Sequence, residues 1–176
     1  MGKNTEGTLQ AALFYRWGMA REFSMPNYTY YCNESDFLTV TKNGYVDEYE
    51  IKISRSDYRA DQKKERWELY KTRPHILREK ALNYAMYHYT PVYFRKYPNR
   101  FWYVTPKGLI APDELPDYAG LITRNEQGIL NIERQAPKLH ANKAPPELVI
   151  DMRAKAANRY IYDAMAKRAG GEPQRA

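Results

Sequence analysis

The sequence has few of the residues that form covalent or metal cross-links. Its 176 residues include one cysteine, Cys32, and three histidines. A lone cysteine cannot form an intramolecular disulfide, and His75, His88 and His140 lack the spacing of a zinc site. We therefore expect an apolar core to hold the fold, and a chain of this length can build one for a single domain.

Long apolar runs are also missing. Residues 1–13 contain no basic segment followed by an apolar stretch, so no secretory signal peptide is expected. No stretch approaches the roughly 18 apolar residues that a membrane span needs. These absences predict an intracellular protein without a membrane partner.

Basic and aromatic residues are plentiful. The formal net charge is +7, the calculated pI is near 9.3 and aromatic residues make up 14% of the chain. A basic balance of this size suits a polyanion such as nucleic acid, although ordinary solubility accounts for it as well. Aromatic residues interleave with the basic ones after residue 52, as they do where phosphates are neutralised and bases are stacked.

The hydrophobic pattern predicts alternating helices and strands without an internal repeat or a linker. A hairpin is the clearest element, since Asn43-Gly44 lies between two strand-like segments and favours a tight turn. Ser54 is the expected N-cap of the following helix. The predicted helices span residues 8–23, 55–71, 76–89 and 147–168. The predicted strands span residues 36–41, 45–53, 99–105, 118–123 and 128–133.

The second hairpin strand has one apolar and one charged face. Residues two apart on a strand share a face, so Glu50 and Lys52 lie together, with Glu48 at their rim. Asp36 begins the partner strand, and the 13 residues between it and Glu50 allow the hairpin to bring the two carboxylates together. A solvated strand face with a Glu–Lys pair is the alternative explanation.

The set Asp36, Glu50 and Lys52 has the chemistry of phosphodiester hydrolysis. Two carboxylates supply hard oxygen ligands for Mg²⁺ or Mn²⁺. The ion stabilises charge on the phosphate and acidifies water. A lysine beside it can orient or deprotonate that water, or offset the phosphate charge.

Residues 50–64, with the sequence Glu-Ile-Lys-Ile-Ser-Arg-Ser-Asp-Tyr-Arg-Ala-Asp-Gln-Lys-Lys, resemble the segment that follows the catalytic strand in PD-(D/E)XK nuclease-like proteins of the MmcB type. That family is linked to bacterial DNA repair and has phage-encoded relatives. The resemblance extends over residues 22–143. Its supporting segments are residues 34–36, 101–106, 108–110, 118–122 and 136–140.

The sequence departs from the family pattern in two places. His75 lies further along the chain than the Lys-His pair that the family usually has after the post-motif helix. Ser35 stands before Asp36, where the motif name has a proline.

The resemblance implies an α/β fold with a PD-(D/E)XK nuclease-like core, a small mixed sheet opened by a hairpin and flanked by helices. Residues 1–168 would form this single domain, and residues 169–176 would be a flexible tail. The implied activity is metal-dependent hydrolysis of DNA in the cytoplasm of a bacterial cell or a phage-infected host. A catalytically weak nucleic-acid-binding or accessory protein of a phage or repair complex is the alternative, and DNA against RNA stays open.

The resemblance also assigns further residues. Asp36, Glu50 and Lys52 would be catalytic, and Glu22 at the end of the first helix would be a third metal ligand. A surface role for Glu22 is the alternative. Apart from the resemblance, we expect Arg55, Lys63 and Lys64 to contact DNA, with a solvated helix face as the alternative. Asp57 and Asp61 would lie near the site, although helix capping and pairing with basic residues explains them equally well.

Overall fold

The computed structural model describes residues 4–30, 33–63 and 98–168. These residues form one open six-stranded sheet with helices on both faces. The strands are β1 (Phe23–Tyr30), β2 (Asn33–Val40), β3 (Val46–Ile51), β4 (Arg100–Pro106), β5 (Ala119–Arg124) and β6 (Leu130–Arg134). The helices are α1 (Glu6–Arg16), α2 (Arg55–Asp61) and α3 (Pro146–Arg168), with short 3₁₀ turns at Gly18–Ala20 and Pro112–Glu114.

The sheet is mixed. Its strands lie side by side in chain order from β1 to β6. The pairs β1–β2, β2–β3 and β5–β6 are antiparallel, whereas β3–β4 and β4–β5 are parallel. The expected α/β class and mixed sheet are therefore confirmed.

The hairpin predicted around Asn43-Gly44 is present between β2 and β3. Gly44 has a φ of 81°, a left-handed conformation that glycine adopts without steric cost. The last pair of the hairpin ladder joins Val40 to Val46. The observed strands begin and end one to three residues away from the predicted limits.

The first helix was predicted too long, and the strand after it was missed. α1 ends at Arg16, and residues 23–30, placed partly in a helix and partly in a loop, form β1. Pro26 and Asn27 lower the strand propensity of this segment, but β1 is an edge strand, where proline is tolerated. Asn27 has a φ of 49° and interrupts the ladder with β2.

The later elements follow the predicted pattern. Ser54 caps α2, because its hydroxyl accepts a hydrogen bond of 3.1 Å from the amide of Asp57. α2 ends at Asp61, and the last helix, α3, extends to Arg168 at the end of the described residues. The part of the predicted helix over residues 64–71 lies outside the described residues. The predicted helix 76–89, the tail 169–176, Cys32, Lys64, His75 and His88 lie outside the described residues.

One face of the sheet is covered by α1. Leu9 and Leu13 of this helix are fully buried against an apolar cluster from the central strands. The strand side chains of the cluster are Phe37, Tyr49, Ile51, Trp102, Val104, Ile122 and Leu130. The apolar side of β3 predicted from its alternation thus packs against the first helix.

The opposite face carries two separate apolar clusters. α3 packs Leu148 and Met152 on β1, β2 and the start of β3. α2 contributes Tyr58 to a second cluster on β4 and β5. The charged side of β3 lies on this face between the clusters, because Glu48 pairs with Leu38 of the first and Glu50 pairs with Tyr103 of the second.

Candidate active site

Asp36 is held at the point where β2 separates from β3. Its Oδ2 accepts a hydrogen bond of 2.6 Å from the amide of Ile51, so the carboxylate takes the place of a backbone partner. The carbonyl of Asp36 accepts a second bond of 2.8 Å from Gln10 of α1. Both bonds fix the carboxylate beside the strand that carries Glu50.

Glu50 and Lys52 are buried side by side on β3. Their side chains are 3% and 5% exposed, and the Lys52 Nζ lies 2.7 Å from the Glu50 Oε1. Glu48, two residues earlier, accepts a bond of 2.9 Å from the hydroxyl of Ser35. The predicted charged face is therefore buried, which excludes the alternative of a solvated strand face.

The environment of Asp36 disfavours its charged form. Burial raises the pKa of this carboxyl first, and the charge of Glu50 raises it further, to about 7. The bond from Ile51 and the charge of Lys52 act in the opposite direction, and Glu6 of α1 adds a smaller repulsion. Two carboxylates thus share a weakly solvated site where a cation would lower their repulsion.

Lys52 is surrounded by carboxylates. Burial lowers its pKa, but the carboxylates of Glu50, Asp61 and Asp57 outweigh burial, and the net pKa is raised above the usual lysine value. The Nζ lies 3.4 Å from the Asp61 Oδ1 and 3.7 Å from the Asp57 Oδ1. Lys52 is therefore an ammonium group at neutral pH, suited to donating hydrogen bonds rather than accepting a proton.

A tyrosine holds Asp61 in place from the neighbouring strand. Tyr103 of β4 donates a hydrogen bond of 3.0 Å to the Asp61 Oδ2, and Gln62 donates one of 2.7 Å to the Tyr103 hydroxyl. Burial, followed by the charge of Asp61, raises the pKa of Tyr103, so this hydroxyl stays neutral. Asp57 and Asp61 do lie at the site, and through them α2 contacts Lys52.

The assignment of Glu22 as a metal ligand is wrong. Its amide bonds to the carbonyl of Val40, at the end of β2 remote from Asp36. Asp36 lies four positions before Val40 along the strand, which corresponds to about 13 Å. The Glu22 carboxylate pairs instead with Arg153 of α3, at 2.7 Å. The error follows from the helix limit, since Glu22 lies after α1 and not at its end.

The expected DNA-contacting residues differ in their surroundings. Arg55 is an internal contact, because its guanidinium pairs with Glu114 and donates a bond of 2.9 Å to the carbonyl of Leu109. Lys63 is exposed just after α2. Lys64 lies outside the described residues.

The prediction from sequence missed Glu6, Gln10 and Tyr103. Glu6 and Gln10 are one turn apart on α1, where Gln10 donates a bond of 3.1 Å to Glu6. The predicted helix began at residue 8 and excluded Glu6. The start is set by Thr5, whose hydroxyl accepts a bond from the amide of Thr8 in a capping box that the sequence does not make obvious.

Within residues 4–30, 33–63 and 98–168, no group of three or more histidine, cysteine, aspartate or glutamate side chains is arranged to hold a metal ion. Asp36 and Glu50 offer two carboxylates, and Mg²⁺ is commonly bound by one or two carboxylates together with substrate phosphates. Asp36 and Glu50 therefore suit a divalent cation that takes its remaining ligands from the substrate phosphate.

In the same parts of the chain, none of the helices combines the length and the apolar character that a membrane span requires.

Comparison with known proteins shows the fold alone. No protein family model matches the sequence, and no curated protein matches it significantly. A solved structure, the SPO1766 protein of unknown function from Silicibacter pomeroyi, is similar with a TM-score of 0.55 and 19% identity. The match covers 95% of this chain and 96% of that one.

Proposed function

We propose that this protein is a metal-dependent nuclease that hydrolyses DNA phosphodiester bonds, in DNA repair or phage DNA metabolism. The observation that carries the proposal is the Asp36 carboxylate held on the amide of Ile51, next to the buried pair of Glu50 and Lys52 on the same strand. Buried charges are costly and rarely kept without a function or a full set of partners. The resemblance of residues 50–64 to MmcB-type proteins supports the same assignment.

Asp36 and Glu50 would hold Mg²⁺ or Mn²⁺. The raised pKa of Asp36 supports a cation, because its causes are burial and the neighbouring carboxylate of Glu50. When bound, the ion would offset charge on the phosphate and make a water molecule more acidic.

Lys52 would act as a fixed positive charge. Its ammonium is held by Glu50, Asp57 and Asp61, and each of these carboxylates favours the protonated state. A protonated lysine can donate hydrogen bonds to a phosphate oxygen or to the attacking water. We therefore assign orientation and charge stabilisation to Lys52, and not proton abstraction.

The overall charge and Lys63 favour a polyanionic substrate. The net charge of +7 promotes association with DNA over long range, and the exposed Lys63 lies within two residues of Asp61. Arg55 contributes less than expected, because Glu114 neutralises it.

One observation favours the second candidate, a catalytically weak DNA-binding or accessory protein. The Glu50–Lys52 pair is closed at 2.7 Å and nearly inaccessible to solvent. A lysine that stays in this position occupies an oxygen that a cation would need. Such a protein could bind DNA through its basic surface without cleaving it.

Cleavage assays separate the two candidates. Single-stranded, duplex and branched DNA would each be incubated with the protein in Mg²⁺, Mn²⁺ or EDTA, beside Glu50→Gln protein and a Glu22→Gln control. A nuclease cleaves in Mg²⁺ or Mn²⁺, loses cleavage with Glu50→Gln and keeps it with Glu22→Gln. Tight binding in EDTA without cleavage under any condition would instead identify a binding protein.

A further inference from the structure

α3 is apolar on two opposite sides. Its inner side packs on the sheet through Leu148 and Met152, and Arg159 donates a bond of 2.9 Å to the carbonyl of Pro26. The outer side carries Ile150, Ala154, Ala157, Ile161 and Met165, all exposed to solvent. Ile150, Ile161 and Met165 are 65%, 53% and 65% exposed. We call these five residues the outer stripe.

The spacing of the outer stripe is that of a helix–helix contact. Its members follow one another at intervals of four, three, four and four residues, which places them on one side of the helix. A helix that needed to cover only the sheet would carry polar residues here. Contiguous exposed apolar residues of this kind mark an interaction surface.

We propose that the outer stripe pairs with the outer stripe of a second copy of this chain, with the two helices antiparallel. Setting Ala157 opposite Asn158 of the second copy brings Ile150 opposite its Met165. The same register brings the small Ala154 opposite the large Ile161. Large side chains then face small ones near the centre, as helices packed 8–10 Å apart require.

The charges on α3 favour this antiparallel register. In it, Glu147 of each copy lies opposite Arg168 of the other, and both side chains are exposed. The acidic first turn of one helix thereby meets the basic last turn of its partner, which also pairs their opposite dipole ends. A parallel pair would place Glu147 beside Glu147 and Arg168 beside Arg168.

Sedimentation velocity over a range of protein concentrations tests the proposal on the full chain. Stable interfaces bury about 1,200–2,000 Å² in total, and one pair of helices lies at the low end, so a micromolar monomer–dimer equilibrium is expected. Sedimentation as a monomer up to several hundred micromolar would overturn the proposal.

Two isoleucines provide a matched pair of variants. Ile161→Glu is expected to make the protein monomeric, because it puts a charge into the stripe. Ile132→Glu on β6, at a residue that is 49% exposed, is expected to leave the dimer intact. Circular dichroism would verify that both variants are folded. A dimer lost only in the Ile132 variant would place the interface elsewhere and contradict the proposal.

Charge reversal tests the register. Glu147→Arg and Arg168→Glu each turn two symmetric attractions into repulsions, so each should weaken the dimer about five- to twentyfold. The double variant should regain the wild-type dissociation constant. Weakening by Ile161→Glu without any effect of the charge reversals would overturn the antiparallel register. Neither result depends on DNA or on cleavage, so they do not test the proposed nuclease function.

Discussion

The fold raises the pKa of Asp36 into the physiological range. Its pKa of about 7 lies above the ordinary aspartate value because of burial and the nearby Glu50. The folded state therefore holds a proton on Asp36 more tightly than the unfolded chain does. Its contribution to stability is present at low pH and is lost as the pH rises through about 7.

Replacing Asp36 with Asn should accordingly stabilise the metal-free protein above neutral pH. Asn keeps an oxygen that can accept the bond from Ile51 and cannot ionise. One unit of pKa corresponds to about 1.4 kcal/mol, so a gain of about 1–3 kcal/mol at pH 8 is expected after local relaxation. Urea unfolding in EDTA at pH 5 and pH 8 measures it, and an equal or larger gain at pH 5 would refute the electrostatic cause.

Lys52 should matter for the rate of cleavage more than for DNA affinity. Loss of one group that stabilises charge in the transition state costs about 10²–10³ in rate, so Lys52→Ala should lower turnover by this factor. One lysine contributes only about one unit to the slope of log DNA affinity against log salt concentration. Single-turnover cleavage and fluorescence anisotropy measure the two effects, and wild-type turnover by Lys52→Ala would exclude a catalytic role.

Lys63 and Lys64 should show the opposite pattern if they contact the DNA. Replacing both with Ala should weaken binding and reduce the slope of log affinity against log salt by about two units. Turnover at saturating DNA should be kept, because neither residue is assigned to the reaction. An unchanged salt slope would remove both residues from the DNA interface.

At the scale of elements, α2 and β4 together position the charged side chains of β3. Tyr103 of β4 donates a hydrogen bond to Asp61 of α2. Asp61 in turn contacts Lys52, just after β3. Tyr103→Phe removes the donor and leaves a buried carboxylate oxygen with one bond fewer. A loss of about 1–3 kcal/mol in unfolding free energy is expected. Urea denaturation measures this loss. Tyr162→Phe, on the exposed part of α3, is the control and should leave the free energy of unfolding unchanged.

The hairpin was predictable from sequence because its determinants are local. Asn43-Gly44 sets the turn, and alternation along residues 45–53 separates Ile51 from Glu50 and Lys52. β1 was not predictable in this way, because Pro26 and Asn27 oppose a strand and only pairing with β2 makes one. The wrong assignment of Glu22 follows from that error.

The partners of Lys52 depend on contacts that periodicity does not reveal. Asp61 was expected near the site from the resemblance, but its bond to Tyr103 joins residues 42 positions apart. Glu6 was missed because the predicted helix began after it, and its effect on Asp36 acts across 30 positions of sequence. Contacts between residues so far apart in sequence can be predicted only when the order of the strands in the sheet is known.

At the scale of the whole molecule, the two helices on one sheet face leave the charged strand between them. α3 covers β1 and β2, α2 adjoins β4, and Glu48, Glu50 and Lys52 occupy the interval. The sheet thus supplies both an apolar core and a polar strip within it. This separation explains how a basic, tyrosine-rich chain can bury several carboxylates and still fold.

The proposed nuclease function requires Asp36 and Glu50 together to bind a divalent cation. Calorimetric titration of the metal-free protein with Mn²⁺ tests it most directly, beside the variants Asp36→Asn, Glu50→Gln and Glu22→Gln. We expect the wild type and Glu22→Gln to bind Mn²⁺, and the other two variants to lose binding. Absence of binding by the wild type, or unchanged binding by Asp36→Asn and Glu50→Gln, would contradict the account.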